Sequence, residues 1–318
     1  MEPQSVAGLV AARAAALGFY SPYYFLRQLP LERQQELFGT GAAARWGSRQ
    51  GEETYAPPTA GGPVHWLWQQ LPWDSAHFGT PMVRLFTGLF GAAMTPEELT
   101  RAAVALRAHL AEQHGAFYAF GLVPAEDGQL LQALTAAGWR LVETRLTFYR
   151  DHLADFDFPA SAVRAAASAE AAHIGRIAAA ARNPYDRFHA DPWFGPARAD
   201  AYLARYAENT VSAGLAATVL VPNEPALPVD SFLAISDLSA DAAALGTRLS
   251  RVLLTAVGPA NRGWHLKLVA ETLRRARKHG HGAVLMTTQA TNHAVFRTAE
   301  KLGFRLGATS HALACDSP

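Results

Sequence analysis

Residues 262–267, Arg262-Gly263-Trp264-His265-Leu266-Lys267, lie where an apolar run gives way to an amphipathic one, at the entrance of an expected helix. A helix entrance attracts anions, because its first N–H groups lack partners and the positive end of its dipole faces outward. Small residues at such a place let a phosphate approach the backbone. His265 and Lys267 put bulk there instead. A side chain aimed at the phosphate would block it, whereas Lys267 lying alongside would pair with it.

For proton transfer the chain offers His189, Asp191 and Tyr185 in one aromatic turn, Asp237 after a strand, and His311 on the last strand. His189 in "FHADPWF" is the first choice as catalytic base, because imidazole titrates near working pH; a structurally bonded histidine is the plainer alternative. Trp193 and Phe194 beside it read as packing residues. Asp74 and His77 in "WDSAHFG" have no second ligand pair at metal spacing, so no metal site is expected and the segment reads as a turn capped by Asp74 and Ser75. The basic run "RRARKHGH" at 274–281 reads as the last turn and exposed face of a helix.

The elements that position these groups follow from periodicity and punctuation. Residues 1–40 look helical, with Pro22 and Pro30 as breaks, and 39–62 has the Gly, Pro and polar mixture of a loop. "PVHWLWQQL" and "PMVRLFTGLF" read as strands. A helix follows, with Thr95 as cap, Pro96 at its first position, Glu98 completing a capping box and Gly115 as stop. "AFYAFGLV", "AEDGQLLQALTAAG" and "WRLVETRLTFYR" then read as strand, helix and strand. The same plan of helix, His-Gly, apolar strand, polar turn, helix and closing strand recurs near the C-terminal end, where Gly303-Phe304-Arg305-Leu306 matches Gly138-Trp139-Arg140-Leu141. One α/β unit is therefore expected twice. Between the copies come two or three helices and the strands "GLAATVLV", "DSFLAIS" and "RLSRVLLTAV".

A chain of 318 residues exceeds the usual size of one core. With 28 Lys plus Arg against 27 Asp plus Glu, charge gives no reason to expect nucleic acid or an anionic membrane as partner. The single cysteine, Cys315, excludes an intramolecular disulfide and suits a cytoplasmic location. The opening run, with Glu2 and Arg13 and no basic start, does not read as a signal peptide, and no stretch approaches the roughly 20 uninterrupted apolar residues of a membrane span.

The strand ending Val257-Gly258-Pro259, the Arg262-Gly263 that follows, Asn292 and Ala294 after the next strand, and "EKLGFR" at 300–305 together resemble the Gcn5-related N-acetyltransferase family. The resemblance implies a tandem acyl-coenzyme A N-acyltransferase fold, α/β with a mixed sheet. It also implies an N-terminal extension over 1–60, a degenerate first copy over 61–158 and a working copy over 159–318. By the same resemblance, Thr255, Ala256 and Val257 would contact the acetyl and pantetheine groups. Arg262, Gly263, Trp264, His265, Leu266 and Lys267 would face the diphosphate of acetyl-coenzyme A, and Asn292 would either hold the pantetheine arm or cap the next helix. Two departures stand out: His265 and Lys267 replace glycines, and Ala299 replaces a tyrosine that serves the family as general acid. The segments 71–85 and 187–211 are similar to dTDP-fucosamine N-acetyltransferase-type proteins, which implies a small amine acceptor of the amino-sugar kind. A catalytically silent module that kept only the frame is the competing expectation.

Overall fold

The computed structural model describes residues 5–317. The chain forms two compact units. Unit 1 takes the chain up to Arg145 and again from Ala308, and unit 2 is Leu146–Gly307. Residues 158 and 159, where the two expected copies meet, lie inside unit 2.

Unit 1 begins with short helices: α1 (Val6–Ala12), α2 (Ala14–Leu17), α3 (Leu31–Phe38) and α4 (Thr40–Ala44). Residues 1–4 of the expected helical start lie outside the described residues. Then come β1 (Glu52–Tyr55), β2 (Val64–Gln70), α5 (Pro72–Phe78), β3 (Met82–Phe90), α6 (Pro96–His114), β4 (Tyr118–Pro124), α7 (Gly128–Ala136) and β5 (Arg140–Arg150). The caps expected for α6 are present: Thr95 accepts the Glu98 N–H, Glu98 reaches back to the Thr95 N–H, and Gly115 ends the helix. Leu99, Ala103, Leu106 and Leu110 recur at helical spacing and bury one face of α6 in a core with Trp66, Val83 and Ala119. Two local expectations are corrected. The supposed loop at 39–62 contains α4 and β1; β1 reads "EETY", a short edge strand held by its ladder to β2 and by Tyr55, which packs against the core. The supposed turn at 73–79 is the helix α5, where Ser75 donates to the Leu71 carbonyl and accepts from the Met82 N–H, each at 2.8 Å.

Unit 2 holds β6 (Val163–Ala165), α8 (Ala171–Ala180), α9 (Arg187–Ala190), α10 (Pro196–Ser212), β7 (Thr218–Pro222), β8 (Ser231–Ser236), α11 (Ser239–Leu245), β9 (Leu249–Val257), α12 (Trp264–Lys278), β10 (Ala283–Gln289) and α13 (His293–Lys301). β11 (Arg305–Asp316) carries the chain back into unit 1. Alternation along β8 builds three layers. Phe232 and Ala234 pack with Ile174, Ile177 and Ala207 of α8 and α10, while Leu233 and Ile235 pack with Leu268 and Leu273 of α12.

Strands run β1-β2-β3-β4-β11 in unit 1 and β6-β7-β8-β9-β10-β5 in unit 2, β5 beginning in unit 1 and crossing into unit 2 at Leu146. β3 and β4 are parallel, as are β9 and β10. Each unit thus takes its closing strand from the other repeat. β11 pairs antiparallel with β4 from Ser310↔Pro124 to Asp316↔Tyr118, and β5 adjoins β10.

Candidate active site

The repeats share one irregularity at matching places. In β3 the register to β2 skips Phe86, and in β9 the register to β8 skips Leu253, so each strand carries a bulge of one residue. A bulge bends its strand. Just before each bulge the parallel ladder stops: β3 and β4 pair only as far as Leu85↔Gly121, and β9 and β10 only as far as Val252↔Met286. Beyond those pairs the strands part. In unit 2, Leu254–Val257 stays paired with β8 on one side only, so alternate residues turn their N–H and C=O groups into the opening. Thr255, Ala256 and Val257 therefore lie on its edge. The Thr255 hydroxyl donates to the Phe232 carbonyl at 2.9 Å, so the side chain is committed to β8 and the backbone is what the strand offers.

Past β9 the turn at 258–261 is anchored to the β7–β8 hairpin. Asp230 accepts the Ala260 N–H at 2.8 Å, and Asn261, which is buried, accepts from the Asp230 N–H at 3.0 Å and the Ser231 hydroxyl at 2.8 Å. A Cβ at Gly258 would strike the Asp230 carboxylate and displace it from the turn. Gly263 then takes φ +89°, a left-handed conformation suited to glycine, and is the N-cap of α12. Its N-cap, a glycine, offers no side chain to cap α12, and the first turn contains no acidic residue. Its opening amides therefore have no carboxylate or hydroxyl of the cap over them.

His265 and Lys267 belong to the first turn of α12 rather than to the preceding loop. The His265 ring turns toward α13, with Nδ1 2.9 Å from the Thr298 hydroxyl, and Thr298 in turn donates to the Ala294 carbonyl at 3.2 Å. That arrangement makes Nδ1 the protonated nitrogen and leaves Nε2 as a buried lone pair without a partner among the described residues. Burial lowers the imidazole pKa to about 4. Lys267 Nζ lies 4.4 Å above the Trp264 ring and 3.4 Å from a Glu224 carboxylate oxygen. Trp264 is buried in the core, Leu266 packs against it, and Arg262 is exposed. Asn292 caps α13 by accepting the Val295 N–H at 3.3 Å.

The aromatic turn is more constrained than its sequence suggests. His189 is flanked on both sides: Nδ1 is 2.7 Å from Asp186 and Nε2 is 3.0 Å from Asp200, which also receives Arg182. Both ring nitrogens face carboxylates, which leaves no lone pair aimed at an incoming amine. Asp191 is buried and caps the Trp193 N–H. Asp237 is gripped by Arg275 at 2.7 and 2.8 Å, which holds its carboxyl below the usual range, and His311 belongs to unit 1, 3.1 Å from the Thr144 hydroxyl. Tyr185 is 56% exposed. It sits on the loop that Asn183 ties to the end of β10 through Gln289, at 2.6 Å. Asp230, Asn261, Thr298 and Glu224, which position the loop and its side chains, carry no sequence signal of their own beyond being polar.

No protein-family model matches the sequence, and no curated protein matches it. Solved structures do. A Gcn5-related N-acetyltransferase from Sphaerobacter thermophilus matches at TM-score 0.53 and 13% identity, over 99% of this chain and 94% of that one. The fold is that of the Gcn5-related N-acetyltransferases. A conserved protein of unknown function from Staphylococcus epidermidis matches at TM-score 0.51 and 12% identity, over 84% of this chain and 95% of that one. A region of a fungal multi-domain β-N-acetylglucosaminidase, described as a Gcn5-related glucosamine N-acetyltransferase, matches at TM-score 0.56 and 13% identity, over 98% of this chain and 37% of that one. Within the acetyltransferase fold, the parting of β9 from β10 and the open end of α12 form one continuous feature of unit 2. Among the described residues no helix is long and apolar enough to cross a membrane.

Proposed function

We propose that unit 2 binds an acyl-coenzyme A, acetyl-coenzyme A in the simplest case, and passes its acyl group to the nitrogen of a small amine of the amino-sugar class, free or nucleotide-linked. One observation carries this reading: β9 leaves β10 after Val252↔Met286 and leads, through Gly263, to a helix end with neither a side-chain cap nor an acid in its first turn. The residues present fit the ligand. Arg262 and the opening amides of α12 would hold the diphosphate, with Lys267 available if it leaves Glu224. The parted edge of Thr255–Val257 would pair with the amide-bearing arm, and Asn292 would flank it.

The cofactor, when bound, supplies the acyl group as a thioester. The chain's own contribution is to hold that carbonyl against a backbone N–H of the β9 edge and to admit an unprotonated amine. Proton handling falls to Tyr185 or to water, since Ala299 has no proton to give and His189 faces carboxylates at both ring nitrogens. The amino-sugar class rests on the similarity of 71–85 and 187–211 noted above and on the description of the fungal neighbour. The silent-module alternative draws on Ala299, 1% exposed in the core at the tyrosine position.

Calorimetric titration with acetyl-coenzyme A is the test. Saturation at a hundred times the dissociation constant adds about 2.7 kcal/mol of stability, and Lys267→Glu weakens the binding. Glucosamine and related amines then release free thiol, more slowly in Tyr185→Phe. No binding at millimolar cofactor removes the proposal in favour of the silent module. Binding without thiol release from any amine limits the protein to a cofactor-binding role.

A further inference from the structure

The first repeat has the same bulge and the same parted strands as the second, yet its wedge is filled. Arg13, at the end of α1, donates through Nε to the Gly88 carbonyl at 3.2 Å, on the stretch of β3 that has left β4. Its other arm is ion-paired with Asp127, the N-cap of α7, which corresponds to Asn292 of the second repeat. Tyr20 adds a hydrogen bond from its hydroxyl to Asp127 at 2.8 Å and one from the Thr87 hydroxyl at 3.1 Å. The Arg13 guanidinium also lies 4.2 Å over the Phe90 ring, and Leu9 and Leu17 pack with Leu67 and Leu89. Arg13 and Asp127 are 5% and 2% exposed. The segment thus spans the wedge from its strand side to its helix side.

A second feature closes the same place to anions. Where α12 begins bare, α6 begins with the Thr95–Glu98 capping box and with Glu97 and Glu98 in its first turn. The N–H that a phosphate would use is already taken, and a diphosphate would meet two like charges. From the filled wedge and the acid-capped helix together we infer that residues 5–20 are the permanent occupant of the first repeat's cofactor cleft. The cleft is closed by an Arg13–Asp127 latch, and the chain takes acyl-coenzyme A at one repeat only. The count of one rests on the proposal for unit 2; the occupancy of the first wedge does not.

Hydrogen exchange on the full chain, with and without acetyl-coenzyme A, separates the two. The amides of Arg13 and Leu17, which donate to Leu9 and Arg13 carbonyls at 3.1 and 2.9 Å, exchange as slowly as those of β3 and do not change with cofactor. Exchange at the rate of an exposed loop, or deprotection of 5–20 as cofactor saturates, overturns the occupancy. Calorimetry gives one equivalent bound; two equivalents overturn the closure. Zero equivalents sinks the reading of unit 2 and leaves exchange to decide the occupancy. Arg13→Met strands a buried carboxylate and speeds exchange across 5–20 by about tenfold or more, and Arg13→Met with Asp127→Asn restores most of the protection. Equal exchange in wild type and the single variant would show that the latch holds nothing.

Discussion

His265 makes the folded chain sensitive to acid in a way that one substitution should remove. Its ring is lodged between α12 and α13 as the neutral form, with the pKa lowered by burial to about 4, while in the unfolded chain it titrates near the ordinary value of about 6.5. The unfolded state therefore binds more protons than the folded one between those values. This contribution is intact above pH ~6.5 and is lost as pH falls toward ~4. Working the two titrations at pH 7 and pH 5 gives a loss of about 2 kcal/mol attributable to this ring. Urea unfolding of wild type and His265→Gln at both pH values, without cofactor, isolates it, because every other group titrates in both proteins. His265→Gln should lose some stability at pH 7, since it disturbs the Thr298 contact, and should show a pH dependence shallower by about 2 kcal/mol. Parallel pH profiles in the two proteins would mean that the ring protonates freely in the fold, and the placement of its lone pair in a dry site would be wrong.

Restoring a tyrosine at Ala299 should not create an enzyme with a general acid. The position is 1% exposed in the core, so Ala299→Tyr costs about 1–3 kcal/mol by overpacking in thermal melts and leaves thiol release no faster. Thr95→Ala removes the α6 cap and costs about 1 kcal/mol, measured by urea midpoint, with acetyl-coenzyme A affinity unchanged. Glu224→Gln frees Lys267 from a half-exposed pair. Since such pairs are worth about 0–1 kcal/mol, it should tighten acetyl-coenzyme A by a few-fold at most, and weaker binding would mean that Lys267 does not face the diphosphate.

Some of this architecture is legible in the sequence because local chemistry dictates it. Thr95, Pro96, Glu98 and Gly115 announce α6 from both ends, and the observed caps are those residues. The second repeat is equally plain, since strand, glycine-bearing turn and helix follow in order over 249–278. What escaped depends on partners distant in sequence. β1 has no alternating apolar pattern: it is held by its ladder to β2 and by the single ring of Tyr55 stacked on His109. The directions of His265 and Lys267, which decide whether the helix end is blocked, are set by Thr298 and Glu224. His189 looks like a base in its own segment; Asp186 could be seen nearby, but Asp200 reaches it from the next helix. Nor can alternation in a strand say which sheet receives it, which is why the exchange of β5 and β11 left no trace in the pattern.

That exchange also imposes an order in time. A fragment ending near Arg145 would contain β1 to β4 and leave the edge of β4 bare, because the strand that covers it is residues 310–316. Naked edges invite pairing with other chains, so such a fragment should aggregate rather than behave as an independent domain. On the ribosome the earlier half must wait, incomplete, until residues 310–316 have emerged. Genetic separation of the halves would succeed only at breakpoints that keep each terminal strand with the sheet it completes.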